Sequence, residues 1–203
     1  MNVISNNCCG GWFYRLHHHQ FNNPFIWMVA SYETIYNTMM HFYDINWANI
    51  NLTESNLRRN TFIITVDNII ELHYVHYIYS PDYNELTVLP HKLYPEFDGN
   101  VLCDNIWEYV VDTYMKRTRR MISDNEQPVF LIRDEKFAAN TSSKCISDIA
   151  NCPSDFKRVI ITTDKDINRN DLICKTIHVD SIEFPKPTME KYYKQLNKFY
   201  GLL

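Results

Sequence analysis

The 203 residues read as one α/β domain, a three-layer sandwich with a mostly parallel sheet and a β-hairpin addition. Two observations predict this class. Continuous apolar runs such as Val129-Phe-Leu-Ile132 and Val159-Ile-Ile161 suit strands buried on both faces. Segments with helical apolar spacing lie between the strand-like runs, which favours parallel pairing through crossover helices. The length fits one sizeable core and is too short for two. Residues 1–184 are therefore expected to form the domain, with 185–203 a linker and docking helix.

In chain order, residues 2–5 read as a strand, then a Cys/Gly loop runs through Gly11, and a helix is expected over 12–18. Asn22-Asn23-Pro24 is a turn signal, with proline placed to open a helix. From 25 to 43, Phe25, Met28, Val29, Tyr32, Ile35, Tyr36, Met39 and Phe42 recur at helical spacing and predict a helix whose apolar stripe belongs to the core. Residues 62–66 and 71–79 are rich in β-formers, with Asp67-Asn68 as the turn between them. Residues 81–100 hold three prolines and read as a loop with one short strand at 86–89. Asp104 is the expected N-cap of a helix to Ser123, with Trp107, Val110, Val111, Tyr114, Met121 and Ile122 facing inward. Strands at 128–133, 157–162 and 175–179 and a helix at 142–150 follow. Pro185 and Pro187 mark a linker. A helix over 188–200, with Met189, Tyr192, Tyr193, Leu196 and Phe199 on one side, would dock on the domain or on a second copy of the chain.

Composition sets limits on function. Hydrophobic residues at 45% and charged residues at 22% describe a folded chain, and a net charge of −4 argues against a general nucleic-acid binder. The six cysteines include no CxxC pair, so a structural zinc is not supported, and the Gly-rich loop lacks the P-loop and dinucleotide spacings, so no cofactor is expected. Met1 leads straight into Asn-Val-Ile-Ser without a signal-peptide pattern, and no apolar run reaches the ~20 residues that span a bilayer. The expectation is a cytoplasmic protein with reduced thiols and no membrane span.

Ser5-Asn-Asn-Cys8-Cys9-Gly-Gly11 joins a strand to a helix, where α/β folds place ligands. Consecutive glycines let backbone N–H groups approach a ligand, and helical N–H groups favour negative charge. A thiol held there has a depressed pKa, the requirement for a nucleophile. Cys8 is the candidate nucleophile, with Asn7 and the amides of Cys9, Gly10 and Gly11 as oxyanion or anion donors. The plain alternative is a tight turn around a small buried residue.

The run Val3-Ile-Ser-Asn-Asn-Cys8-Cys-Gly-Gly11, followed by Phe21-Asn-Asn-Pro-Phe25, resembles a bacterial family labelled exopolysaccharide biosynthesis protein. Ile70-Glu-Leu-His73-Tyr-Val-His76-Tyr77 is similar to that family's Glu-x-His-x-x-His-Tyr segment. Pro24-Phe-Ile-Trp27 and the basic run Tyr114-Met-Lys-Arg-Thr-Arg-Arg120 ahead of Pro128-Val-Phe-Leu-Ile-Arg133 also resemble a second family, labelled papain-like cysteine peptidases. The similarity spans most of the chain to Asp134, then only the strand at 158–163. It departs in carrying Cys9 directly after Cys8. The resemblance implies a bacterial cysteine hydrolase or a transferase of cell-surface polysaccharide assembly, acting on a small-molecule or glycan-related substrate.

The remaining candidates are weighed on spacing. His73 and His76 lie three apart on a predicted strand and point to opposite faces, so they do not share a metal. His76, the closer match to the His-Tyr step, is the candidate base, with Asp134 or Asp67 as its orienting acid. His17, His18 and His19 diverge around a helix and read as a polar face rather than metal ligands. Lys116, Arg117, Arg119 and Arg120 form two i,i+3 pairs. Arg117 and Arg120 are candidate anion grips for a sugar phosphate, against the plain reading of a solvated helix end. Three readings result: a cysteine-nucleophile hydrolase or acyltransferase, a sugar-phosphate binding protein or transferase, and a non-catalytic interaction domain.

Overall fold

The computed structural model describes residues 2–7, 10, 11, 14, 22–26, 28–54, 61–74, 77–80, 85–88, 100–102, 106–124, 126–134 and 143–180. In order, the elements are β1 (Val3–Ser5), α1 (Tyr32–His41), β2 (Ile50–Glu54), β3 (Phe62–Val66), β4 (Ile70–Tyr74), β5 (Tyr77–Ser80), β6 (Glu85–Val88), β7 (Asn100–Leu102), α2 (Ile106–Ser123), β8 (Val129–Arg133), α3 (Ile146–Ala150), β9 (Arg158–Thr162) and β10 (Cys174–His178). Strands β1, β8, β9 and β10 form a parallel sheet in that order. The fold is α/β with a mostly parallel sheet, as the apolar runs predict. β8 and β9 are buried at every position.

The antiparallel addition is larger than a hairpin. β2-β3-β4 form one three-stranded sheet and β5-β6-β7 another. Strands β2 and β7 are not legible as strands in the sequence; the short strand expected at 86–89 is β6, and the 81–100 segment also contributes the start of β7. The Asp67-Asn68 turn is as expected. Both residues have left-handed backbone (φ 51° and 56°), and Ile69 N–H closes the turn on Val66 O at 3.0 Å. Alternation decides the faces of this sheet. Phe62, Ile64, Val66, Ile70, Leu72 and Tyr74 are all buried in the core, whereas Ile63, Thr65, Glu71 and His73 share the other face.

β4 lies at the edge of its sheet, and its outward backbone groups have partners one by one. Asn37 Nδ2 donates to Ile69 O, Thr34 Oγ1 exchanges hydrogen bonds with Glu71 N and O, and Val29 pairs with His73 through two backbone bonds of 2.9 and 3.0 Å. That pairing shortens the expected helix. The predicted helix over 25–43 is helical only from Tyr32 to His41. Residues 24–26 form a turn, and Val29 is committed to its bridge with His73. Ser31 then caps α1 by accepting from Thr34 N–H. Phe25, Met28 and Val29 are core residues nonetheless, reached from turn and extended backbone.

The inner face of α2 also differs from the expectation. Val110, Tyr114, Arg117, Thr118 and Met121 are buried, while Trp107 and Ile122 are exposed. α3 is confined to five residues after Cys145. An aromatic cluster of Phe42, Trp47, Phe130 and Phe156 closes the core beside the parallel sheet. Among the described residues, Cys145 is exposed and Cys152 and Cys174 are buried, all as free thiols, and no helix is long and apolar enough to cross a membrane. The expected helices over 12–18 and 188–200 lie largely or wholly outside the described residues.

Candidate functional site

The carboxyl ends of β1, β8 and β9 bring the residues after them to one edge of the parallel sheet, the position where open α/β sheets bind ligands. Asn6 continues β1 with its side chain. Its Oδ1 accepts from Arg133 N–H at 3.0 Å, and its Nδ2 donates to Arg133 O at 2.8 Å, so the amide imitates one more step of the β1–β8 ladder. Its backbone carbonyl accepts from Ala30 N–H at 2.9 Å. Residues 29 and 30 therefore tie the end of β1 to His73 on β4.

Ser5 fixes the loop that follows. Its hydroxyl donates to Asn7 O at 2.6 Å and accepts from Gly10 N–H at 2.9 Å. One buried side chain thus holds the residues on both sides of the Cys8-Cys9 dipeptide. A Cβ on Gly10 would stand 2.5 Å from Ser5 Oγ, so only glycine fits this approach. Gly10 and Gly11 are buried and already helical. Below them, Tyr14 donates to Asn22 Oδ1 and accepts from Val3 N–H at 2.8 Å, while Asn23 Nδ2 donates to Val3 O. Burial pushes the Tyr14 phenol well above its ordinary pKa, so it works as a neutral strut.

Asp134 follows β8 at this edge, as expected. Its Oδ1 accepts from Tyr32 OH at 2.9 Å and its Oδ2 from Thr162 Oγ1 at 2.6 Å. The carboxylate joins the side chain of Tyr32, the first residue of α1, to the ends of β8 and β9. Thr162 Oγ1 in turn accepts from Asp164 N–H. Asp67, the other candidate acid, lies in the β3–β4 turn. There Asn46 N–H and Asn49 Nδ2 hold its pKa below the usual carboxylate value.

Arg117 and Arg120 do not share a solvent face. Arg117 is 2% exposed and donates to Ile26 O at 3.2 Å, so it braces the turn before the Val29 bridge. Lys116 pairs with Asp112 one turn back on the exposed side of α2. Cys8, Cys9, His76, Asp104 and His17 to His19 lie outside the described residues.

The residue that spacing alone passed over is Glu71. It stands two before His73 on β4, hence on the same face, and its Oε1 is 2.5 Å from His73 Nε2. His73 is 6% exposed, and its Nδ1 is buried without a hydrogen-bond partner among the described residues. The Glu-x-His spacing on a strand was the available signal. Among the described residues no three His, Cys, Asp or Glu side chains converge as a metal site. No family model matches the chain, and no curated protein matches it.

Proposed function

We propose that the chain is a cysteine-nucleophile hydrolase or acyltransferase, with Cys8 as the attacking thiol. The observation that carries this reading is the Ser5 hydroxyl, which pins Asn7 O and Gly10 N–H and so frames the Cys8-Cys9 dipeptide at the carboxyl edge of the sheet. A nucleophile needs a fixed backbone and nearby N–H groups for the oxyanion; the Ser5 bond supplies the first, and because it occupies Gly10 N–H, Gly10 is not the oxyanion donor and that role falls to the amides beside it. The thiolate attacks an acyl carbon, the leaving group departs with a proton, and water or a second acceptor releases the thioester. The proton passes through an imidazole of the 70–77 segment, in which His73 and His76 stand, and Asp134 holds the wall of the site with Tyr32 and Thr162.

The sugar-phosphate reading is less well supported, because burial of Arg117 removes half of its anion grip. The interaction-domain reading has one observation in its favour. Leu52, Trp107, Val111 and Met115 line an open apolar groove between β2 and α2.

The test is acyl trapping. The chain is mixed with a p-nitrophenyl acyl ester, and peptide mass spectrometry locates the acyl group. The expected result is a stoichiometric burst with the acyl group on Cys8, abolished by Cys8→Ser. A burst unchanged by Cys8→Ser, or no acylation of Cys8 by any ester of a chain-length series, overturns the proposal.

A further inference from the structure

We propose that the groove between β2 and α2 is a self-docking surface, in which the α2 helices of two copies of the chain cross antiparallel about a two-fold axis at Thr113. α2 buries one face on the core through Val110, Tyr114, Arg117, Thr118 and Met121. A second stripe, Trp107, Val111, Met115 and Arg119 at i,i+4 spacing, lines the groove instead, which has a volume of about 560 Å³. Trp107 is 40% exposed, Val111 and Met115 are only partly buried, and Arg119 is exposed. A contiguous apolar surface left in water marks a contact region, and tryptophan is the residue type that most often anchors one.

The occupant follows from the order of charges. Glu108 and Asp112 lie on the exposed side in the first half of α2, Lys116 and Arg119 in the second half. The helix dipole accounts for that order, but not for the apolar residues set between the two ends. A two-fold contact demands self-complementarity: if residue i meets residue j, then j meets i. The stripe satisfies this, because Thr113 is the midpoint both of Trp107 and Arg119 and of Val111 and Met115.

Crossing there sets Val111 against the second copy's Met115 in an apolar centre. Trp107 and Glu108 then face the second copy's Arg119 at each end, about 9 Å along the helix from the axis at 1.5 Å per residue. Each end combines a cation–π contact with an ion pair. Asp112 and Lys116 already pair within α2 at 2.5 Å and form the rim. Rows of side chains at i,i+4 spacing also interdigitate in the commonest class of helix crossing. A segment of uniform charge, acidic or basic, would meet a like charge at one end of the groove. A second copy meets none.

The experiment is sedimentation velocity on the full chain across a wide range of concentration. Wild type is expected to pass from monomer to dimer as concentration rises. Glu108→Arg or Arg119→Glu alone sets like charges at both ends of the groove and is expected to weaken self-association about tenfold or more, since symmetry counts each change twice. Arg119→Gln, which removes the charge without reversing it, is expected to weaken it less. An equimolar mixture of Glu108→Arg and Arg119→Glu chains restores opposite charges at both ends and is expected to form a heterodimer close to wild type in affinity. Both positions are exposed, so the melting temperatures of the variants are expected to stay at the wild-type value. A wild-type chain that remains monomeric at every concentration overturns the proposal, whether its groove takes residues 188–200 or another protein. A dimer indifferent to all three substitutions, or a mixture that associates no better than either variant alone, overturns it equally.

Discussion

At the scale of single residues, Ser5 and Gly10 act as one unit. The Ser5 hydroxyl needs the space that a Cβ on Gly10 would take, with Ser5 Oγ 2.5 Å and Ser5 Cβ 3.2 Å from that position. Gly10→Ala is expected to destabilise the protein by about 1–3 kcal/mol through overpacking. Ser5→Ala alone removes the Ser5 partner of Gly10 N–H and of Asn7 O, at a similar cost. The double variant removes the oxygen that clashes, so its loss is expected to be smaller than the sum of the two, measured by urea denaturation. Strict additivity would show that the two residues do not share the loop. The motif around Cys8 was legible because cysteine and paired glycines are distinctive between a strand and a helix. The role of Ser5 was not, because it depends on the loop folding back on itself. Arg117 misled for a related reason: a basic run on a helix looks solvated until the helix is rotated, and its third turn packs the arginine onto Ile26 O.

Among elements, long-range pairing explains most departures from the sequence reading. Apolar spacing over residues 25–43 is genuine, and most of those side chains are buried, yet Val29 is bridged to His73 and the helix starts only after it. The strands of the parallel sheet were legible because burial on both faces writes continuous apolar runs. β2 was not, since its exposed polar positions carry no such signal. The turn into β10 offers an element-level prediction. Asp171 accepts from Cys174 N–H at 2.7 Å, Arg169 Nε at 2.5 Å and Ile173 N–H at 2.8 Å, and these bonds push its pKa down to about 2. Because the folded value lies below the ordinary 3.8, the stability it confers is complete above about pH 4 and is lost as pH falls toward 2. Asp171→Asn is expected to lower the melting temperature at pH 7 and to flatten the loss of stability between pH 4 and pH 2. A variant as acid-sensitive as wild type across that window would rule out this residue as a contributor. The charge is exposed, so the effect is modest.

For the whole molecule, sheet order governs where chemistry can occur. β1 pairs with β8, and the Asn6 amide completes the join to Arg133, 127 residues away. This topology delivers Asn6 and Asp134 to one edge from distant parts of the chain, while the Val29 bridge ties His73 to the segment that holds Asn6. The place of Asp134 at a strand end was legible, since strand ends follow from strand positions. That His73 is bridged to Val29 is a tertiary fact that spacing along one strand does not carry. The central claim is that this edge activates a thiol. The most direct measurement is iodoacetamide labelling of every cysteine in the wild-type chain at pH 6.5, followed by peptide mass spectrometry. Cys8 is expected to react at least about tenfold faster than exposed Cys145, while buried Cys152 and Cys174 lag, the latter also held protonated by burial. A Cys8 that labels no faster than Cys145 would contradict the account.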